Sequence, residues 1–486
     1  MYGCQQNLIN PNEELKAVLE FICSESHKLT NCGIYYARQL YFKTGKLIGK
    51  YDLEKEYKTN KHYQVLHSQA AQQVLRSVSE SFKSFKELDK KYAKGELHFK
   101  PRLPNYRKGV GYALVTYPKQ ALRLVDNCIK VPLGNTVKRW FKLDSFLLPM
   151  PSNLQFADIK ELRILPRNQC FYAEFVYEQE SAPEINLNPQ YALAIDPGIN
   201  NWLSCVSNVG TSFIVDGRKV KSLNQWYNKR VSTLKEGKPQ GYWDEQLARI
   251  TEKRNRQMRD AVNKAARLVI DHCIKHHISI VVFGWNQGQR QQATLGKTTQ
   301  SFVQIPTAKL KERVKQLCEE YRIKFVETEE SYTSKASFLD ADFLPTYGEK
   351  PETWKPCGKR VKRGMYRTGT GKLINADLNG AANILKKVEA QLGLDLAKAC
   401  RALLTVPTRY RVWETKTKKR NMADGCPMCS NSLESPSIYG GERSNTCLIS
   451  TSPDPRAHAP SSGDVFYTNA WRQQLNSMVL RFRPSF

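Results

Sequence analysis

Two short segments that lie far apart in the sequence each carry an aspartate where a buried element would present it. Asp196 ends the run Tyr191-Ala-Leu-Ala-Ile-Asp-Pro-Gly198, which reads as a buried strand leaving through a turn. Asp377 falls on the first turn of a helix that begins Asn375-Ala-Asp-Leu-Asn-Gly-Ala-Ala-Asn-Ile384. The small residues that follow let that helix lie close to a sheet. A fold satisfying both segments brings two carboxylates to one sheet edge. Such a pair suits a divalent cation and in-line attack on a phosphate. Each acid also has a plainer explanation. Asp before Pro-Gly is a turn former, and an acid on a first helical turn is favoured by the dipole.

The charge balance agrees with a polyanionic partner. Lys plus Arg is 75 and Asp plus Glu is 46, a formal net charge of +29 over 486 residues. Cations on phosphates release condensed counterions, which drives nucleic-acid binding. No apolar run approaches the roughly 18 residues that a membrane span needs. The start, Met1-Tyr-Gly-Cys-Gln-Gln-Asn7, lacks a secretion pattern, so a cytoplasmic setting with no membrane partner is expected. The 13 cysteines are scattered and odd in number, so they read as small buried residues, not as a disulfide framework.

The chain divides by pattern. Residues 13–95 read as helices. Ala71, Val74, Leu75, Val78, Phe82, Phe85 and Leu88 form one apolar face, opposite Gln72, Gln73, Arg76, Lys83 and Lys86. Residues 96–187 carry short alternating runs between turns and read as a small antiparallel barrel or sheet. Within it, 99–108 mixes cations, prolines and Tyr106, which suits a phosphate track with a stacked base and equally a linker with snorkelling cations. Residues 188–395 read as one α/β unit. Strands 190–196, 202–207 and 212–216 come first, followed by a helical region over 243–277 and strand 278–283. Helix 307–321, strand 322–328 and helix 376–390 complete it. Three antiparallel strands and then helix–strand alternation is the order of an RNase H-like fold. Residues 413–486 are rich in Ser, Pro, Asn and Arg and are expected to be largely disordered. Gly425-Cys-Pro-Met-Cys429 has zinc-knuckle spacing, but only Cys447 and His458 are near in sequence, and no zinc is expected there.

Ala194-Ile-Asp-Pro-Gly-Ile-Asn-Asn201, Ser331-Tyr-Thr-Ser-Lys335 and the 375–384 segment resemble the nuclease blocks of TnpB (OrfB-type) proteins. These are transposon-encoded, RNA-guided nucleases related to compact type V CRISPR effectors and to Fanzor proteins. The resemblance is firmest over 188–395 and looser over 13–187. It implies a multidomain α+β protein with a first wedge strand at 1–12, a helical recognition domain at 13–95 and a β-barrel wedge at 96–187. A RuvC-like nuclease domain spans 188–412 and carries a basic insert at 335–372. A prokaryotic, nucleoid-associated setting is also what the resemblance implies.

The resemblance further implies an Asp, Glu, Asp triad holding two Mg²⁺ ions. Asp196 and Asp377 match the outer members. The usual Glu position falls on Gly284, at the end of Val281-Val-Phe-Gly284, and a glycine binds no metal. Val326-Glu-Thr-Glu-Glu-Ser331 offers acids at the exit of the next strand, and adjacent strands lie about 4.8 Å apart. Alternation would point Glu327 and Glu329 to one face. Spacing to the Tyr-Thr-Ser block favours Glu330 as the shifted ligand, with Glu329 second. The family's four-cysteine ribbon is missing from the insert, so no structural zinc is expected there. The insert carries Lys359, Arg360, Lys362, Arg363 and Arg367 instead and reads as a basic flap or as a solvated loop.

The expected partners are a structured guide RNA and a target DNA duplex, with one protein per RNA. Gln72, Gln73, Arg76, Tyr106, Arg107, Lys108, Lys119, Lys253, Arg254, Arg256 and Arg363 are the candidate nucleic-acid contacts. The expected activity is guided DNA cleavage. The rival is the same architecture with a dead site, acting as a targeting factor, which Gly284 favours. A strand transposase is a weaker alternative, because neither a His-x-His with Tyr nor a helix-turn-helix is evident. The tail is expected to be dispensable, so truncation at about residue 412 should leave cleavage intact.

Overall fold

The computed structural model describes residues 2–109, 111–178, 185–286 and 305–413. The zinc-knuckle spacing at 425–429 and all of the expected tail except Trp413 lie outside them. No helix among the described residues is long and apolar enough to cross a membrane.

The chain opens with strand β1 (Tyr2–Ile9) and helix α1 (Glu13–Thr44). Asn12 caps α1 by accepting from the Leu15 amide at 2.9 Å, and Glu13 and Glu14 complement the helix dipole. Gly45 ends it at φ 67, a left-handed turn that suits glycine. Three helices follow: α2 (Lys50–Tyr57), α3 (Lys61–Val65) and α4 (Ser68–Ala93). The apolar face of α4 is buried from Ala70 to Phe82, as its spacing requires. The expected stripe ends there, because α4 runs on past its core and leaves Leu88 exposed.

Next come β2 (Val115–Pro118), β3 (Arg123–Val125), β4 (Cys128–Pro132), helix α5 (Asn135–Phe141), β5 (Ser145–Pro149), β6 (Ile159–Arg167) and β7 (Cys170–Glu178). They make two antiparallel sheets, one ordered β1-β7-β6-β2 and the other β3-β4-β5. The N-terminal strand closes onto β7 with Tyr2 opposite Glu178 and Ile9 opposite Phe171. One apolar core joins these sheets to α1 and α4 through Leu19, Ile22, Leu75, Phe82, Val115 and Phe175.

The second half is built on a six-stranded mixed sheet. Its strands are β8 (Asn188–Pro197), β9 (Asn201–Ser207), β10 (Ser212–Asp216), β11 (Ile278–Gly284), β12 (Lys324–Thr328) and a late strand at Thr408–Arg411. Strands β8, β9 and β10 form an antiparallel meander, and β11 and β12 lie parallel to β8 on its other side. The late strand pairs parallel with β10 and adds a sixth member that the sequence pattern had not suggested.

Both faces of this sheet are covered, and β9 and β11 are accordingly buried almost throughout. Helices α6 (Arg218–Lys235), α7 (Glu245–Lys275) and α8 (Thr307–Glu320) follow in chain order, and α7 and α8 cover one face through Leu193, Ile195, Val269, Phe283 and Val314. Helix α9 (Ala376–Leu392) covers the other through Ala192, Ala194, Val282, Ile384 and Leu385. The basic insert contains a small sheet. β13 (Lys359–Lys362), β14 (Met365–Arg367) and β15 (Leu373–Asn375) form an antiparallel meander that runs directly into α9. Fully buried Tyr366 anchors it by donating to the Lys335 carbonyl at 2.8 Å.

Candidate active site at the strand ends

Side chains alternate along a strand, so the placement of Ala192 and Ala194 under α9 puts Asp196 on the same face. Ile280 and Val282 likewise place Gly284 there. Phe283 is registered against Ile195, which makes Asp196 and Gly284 neighbours across two parallel strands. The turn after Asp196 is tight. A Cβ on Gly198 would lie 2.4 Å from the Asn201 carbonyl oxygen, so only glycine fits.

Each residue type in the 375–384 segment has a job that the geometry explains. Asn375 caps α9, accepting from the amides of Asp377 and Leu378 at 3.0 and 3.1 Å. Gly380 makes room for Asp196, since a Cβ there would sit 2.5 Å from the Asp196 Oδ2. Buried Asn379 donates to the Ala336 carbonyl at 2.7 Å and accepts from the Phe338 amide at 3.0 Å. Asn383, also buried, donates to the Thr333 and Ala336 carbonyls at 2.8 Å each. These two asparagines pin the end of the Ser331–Lys335 block and the turn after it, from Thr333 to Phe338, onto the helix. The sequence reading took only the small size of this segment and missed the asparagines, although their four-residue spacing marks one helix face.

The acids after β12 separate. Glu327 pairs with Lys311 of α8 at 2.8 Å, on one face of the sheet. Glu329 pairs with Lys387 of α9, on the other face. They do not share a face, as alternation would require, because the strand ends at Thr328 and the chain turns. Burial acts to raise the Glu329 carboxyl, but the bonds from Lys387 and Ser331 prevail and hold it below the ordinary range. Glu330 takes a third direction. Its amide donates to the Asn286 side chain at 2.9 Å. Its Cγ lies 2.9 Å from where a Cβ on Gly284 would be. The space that a side chain at 284 would fill is therefore filled by Glu330 and by Ile384.

Asp377 is 30% exposed in its side chain, and both its oxygens have partners. Asn201 donates to Oδ2 at 2.6 Å, and Arg360, reaching from β13, donates to Oδ1 at 3.0 Å. Asp196 lies against Gly380 of α9, Glu330 against Gly284, and Asp377 on the first turn of α9, all toward one edge of the sheet. Among the described residues no group of three or more His, Cys, Asp or Glu side chains is drawn close enough to hold a metal ion. The donor chemistry nonetheless fits a hard cation, since all three candidates offer carboxylate oxygens. The Arg360 guanidinium already provides positive charge at one of them.

The candidate nucleic-acid residues fall into two groups. Lys108, Lys253, Arg256 and Arg363 are exposed. Tyr106 is exposed too and lies under the Arg38 guanidinium, 5.6 Å from its ring centre. Gln72 and Gln73 are half-buried, and the backbone of Arg107 is clamped by the Asn31 amide. The others are tied into the fold. Arg76 bonds Glu54 at 2.6 Å and staples α4 to α2. Arg254 donates to Asn224 at 2.8 Å, lies over Tyr227 and staples α7 to α6. Lys119 donates to the Ala157 carbonyl beside Phe156.

A mixed sheet with carboxylates at its strand ends and a basic hairpin reaching one of them defines the class by structure: an α/β core covered by helices on both faces. Direct comparison gives a partial match. Residues 174–287 match the OrfB_IS605 family, described as a probable transposase, so this part of the chain, which includes the 194–201 block, is similar to OrfB-type (TnpB) proteins. No curated protein matches. Solved structures that resemble the chain include a Cas12f1–sgRNA–target DNA complex, at 13% identity and TM-score 0.45, covering 77% of this chain and 83% of that one. Another is the mini-RNA-guided endonuclease CRISPR-Cas_phi3, at 8% identity and TM-score 0.40, covering 79% and 92%. A Cas12i–crRNA–dsDNA complex matches at 10% identity and TM-score 0.28, covering 67% and 56%.

Proposed function

We propose that this protein is an RNA-guided DNA endonuclease whose RuvC-like site uses Asp196, Glu330 and Asp377. The observation that carries this reading is the Glu330 side chain packed into the space left by Gly284, whose strand position neighbours that of Asp196. On this reading the carboxylate that Gly284 lacks is supplied from beyond the next strand, by Glu330. The three acids would hold Mg²⁺, which when bound supplies an activated water and neutralises charge on the leaving oxygen. The protein's own share is positional. Gly380 lets the Asp196 carboxylate lie against α9, and Asn375 fixes the helix turn that carries Asp377. Asn379 and Asn383 hold the turn that follows Glu330.

Guide pairing would read the target, which lets a protein of net charge +29 grip backbone and shape instead of sequence. The partners on this reading are a structured guide RNA and a target duplex, with one protein per RNA. The exposed cations Lys108, Lys253, Arg256 and Arg363 suit phosphate contact, and Tyr106 suits stacking. Arg76, Arg254 and Lys119 serve structure instead.

A second reading is a targeting factor that binds guided DNA without cutting it. The pairing of Asp377 with Arg360 favours it. Cleavage of a plasmid library with randomised flanks, by protein purified with its locus RNA in Mg²⁺, separates the two. Cutting beside a defined motif, silent in Asp196→Ala and Glu330→Ala, is the expected result. Guided binding without any cutting would select the second reading.

A further inference from the structure

We propose that Asn201 and Arg409 are positioning residues, a relay that fixes how the Asp377 carboxylate is presented to a divalent cation. The inference rests on the metal-dependent reading of the site. Asn201 opens β9, and Arg409 lies in the late strand at Thr408–Arg411. Arg409 donates to Asn201 Oδ1 at 2.8 Å, and Asn201 Nδ2 donates to Asp377 Oδ2 at 2.6 Å.

The direction of the relay is set by chemistry. A guanidinium carries donors only, so the amide oxygen of Asn201 must face Arg409. Its nitrogen must then face Asp377. The flipped amide would set donor against donor and a carbonyl against a carboxylate. Arg409 therefore decides that Asp377 meets a donor on this side, leaving Oδ1 as the oxygen that faces the basic hairpin.

The relay has a rigid base. Arg409 also pairs with Asp216 at 3.4 Å, and Asp216 is buried and bound by Arg218. Asp216 is registered opposite Asn201, and Arg409 opposite Ile214. Three adjacent strands thus converge on one carboxylate. Loss of a hydrogen-bond partner behind a metal ligand typically weakens metal affinity by roughly 10–100-fold.

The test measures Mn²⁺ binding by electron paramagnetic resonance on full-length protein carrying its guide RNA and a phosphorothioate target that resists cutting. Arg409→Ala and Asn201→Ala are expected to weaken Mn²⁺ by about 10–100-fold. Arg409→Lys should recover part of this, since lysine keeps a donor. Arg218→Ala loosens the Asp216 base while leaving both relay hydrogen bonds in place and should weaken Mn²⁺ affinity less than Arg409→Ala does. Should Arg409→Ala fail to fold, Asn201→Ala carries the test alone, because it leaves the Asp216 pairs intact. Wild-type Mn²⁺ affinity in folded Asn201→Ala overturns the relay while leaving the nuclease reading standing. A wild type that neither binds Mn²⁺ nor cuts overturns that reading and the relay with it.

Discussion

Glu330 Cγ sits 2.9 Å from where a Cβ on Gly284 would stand, so the two positions compete for one space. The missing side chain on β11 and the acid beyond β12 are a single arrangement. Gly284→Glu alone should crowd Glu330 and Ile384 and lower the melting temperature. Glu330→Ala should lose more cleavage than the roughly 10–100-fold that follows when a ligand merely loses its hydrogen-bond partner. The exchange Gly284→Glu with Glu330→Gly should restore part of that loss. A double variant as dead as Glu330→Ala, with normal folding, would show that only the β12 route can present this acid.

Much of the second half was legible in sequence because both of its periods are clean. β8 to β12, α7, α8 and α9 fall within a few residues of their expected bounds. The late strand at 408–411 was not legible, since Thr408-Arg-Tyr-Arg411 shows no apolar alternation and its four residues are all exposed. It is a strand because β10 offers a free edge and Val412 and Trp413 anchor its end, a tertiary cause that no local pattern carries. The site was half legible. Its acids announce themselves by type, but Asn201, Asn379, Asn383 and Arg409 act through contacts made across long sequence separations.

Arg360 and Asp377 form a partly exposed pair, with side chains 46% and 30% accessible. Such pairs contribute up to about 1 kcal/mol, or roughly fivefold in an equilibrium. Arg360→Ala should therefore tighten Mn²⁺ binding by the nucleic-acid-free protein by up to about fivefold, read by calorimetry. Weaker binding in this variant would mean that the guanidinium supports the site instead of competing for it.

The basic residues of α7 should split by exposure. Lys253→Ala and Arg256→Ala should each lower the slope of log affinity for guide RNA against log salt by up to about 0.7–0.9. Arg254→Ala should leave that slope unchanged and lower the melting temperature, because Arg254 holds Asn224 and Tyr227 of α6. The same contrast is expected between Lys108→Ala and Arg76→Ala. A salt slope altered by Arg254→Ala would place that guanidinium on phosphate.

His272, on α7 against β10, has its pKa pushed down to about 4 by burial, with His276 and Lys275 adding repulsion. Its Nε2 lies 2.8 Å from the Thr211 hydroxyl. A histidine that titrates lower when folded costs stability once the unfolded chain takes up its proton. The loss begins as pH falls through about 6.5 and is complete near the folded value. Melting temperature should drop between pH 7 and pH 5, and His272→Gln should flatten that part of the profile. An unchanged profile in His272→Gln would assign the acid sensitivity to other groups.

The point at which the C-terminal tail can be removed follows from three contacts. Val412 is buried in the core beneath α7, and Trp413 donates its indole N–H to Asp260 of α7 at 2.7 Å. Arg409 meets Asn201 just upstream. A cut at residue 412 removes Trp413 and frays the sixth strand, so the expected boundary moves one residue on. Protein ending after Trp413 should keep its melting temperature and its cleavage. Protein ending after Pro407 should lose the sixth strand, the Asp216–Arg409 pair and the support of Asn201 together. Its Mg²⁺ requirement should rise along with the fall in stability, which a Trp413→Phe variant of the full chain, retaining Arg409, should not reproduce. Equal Mg²⁺ dependence in the two truncations would show that the late strand supports the fold alone.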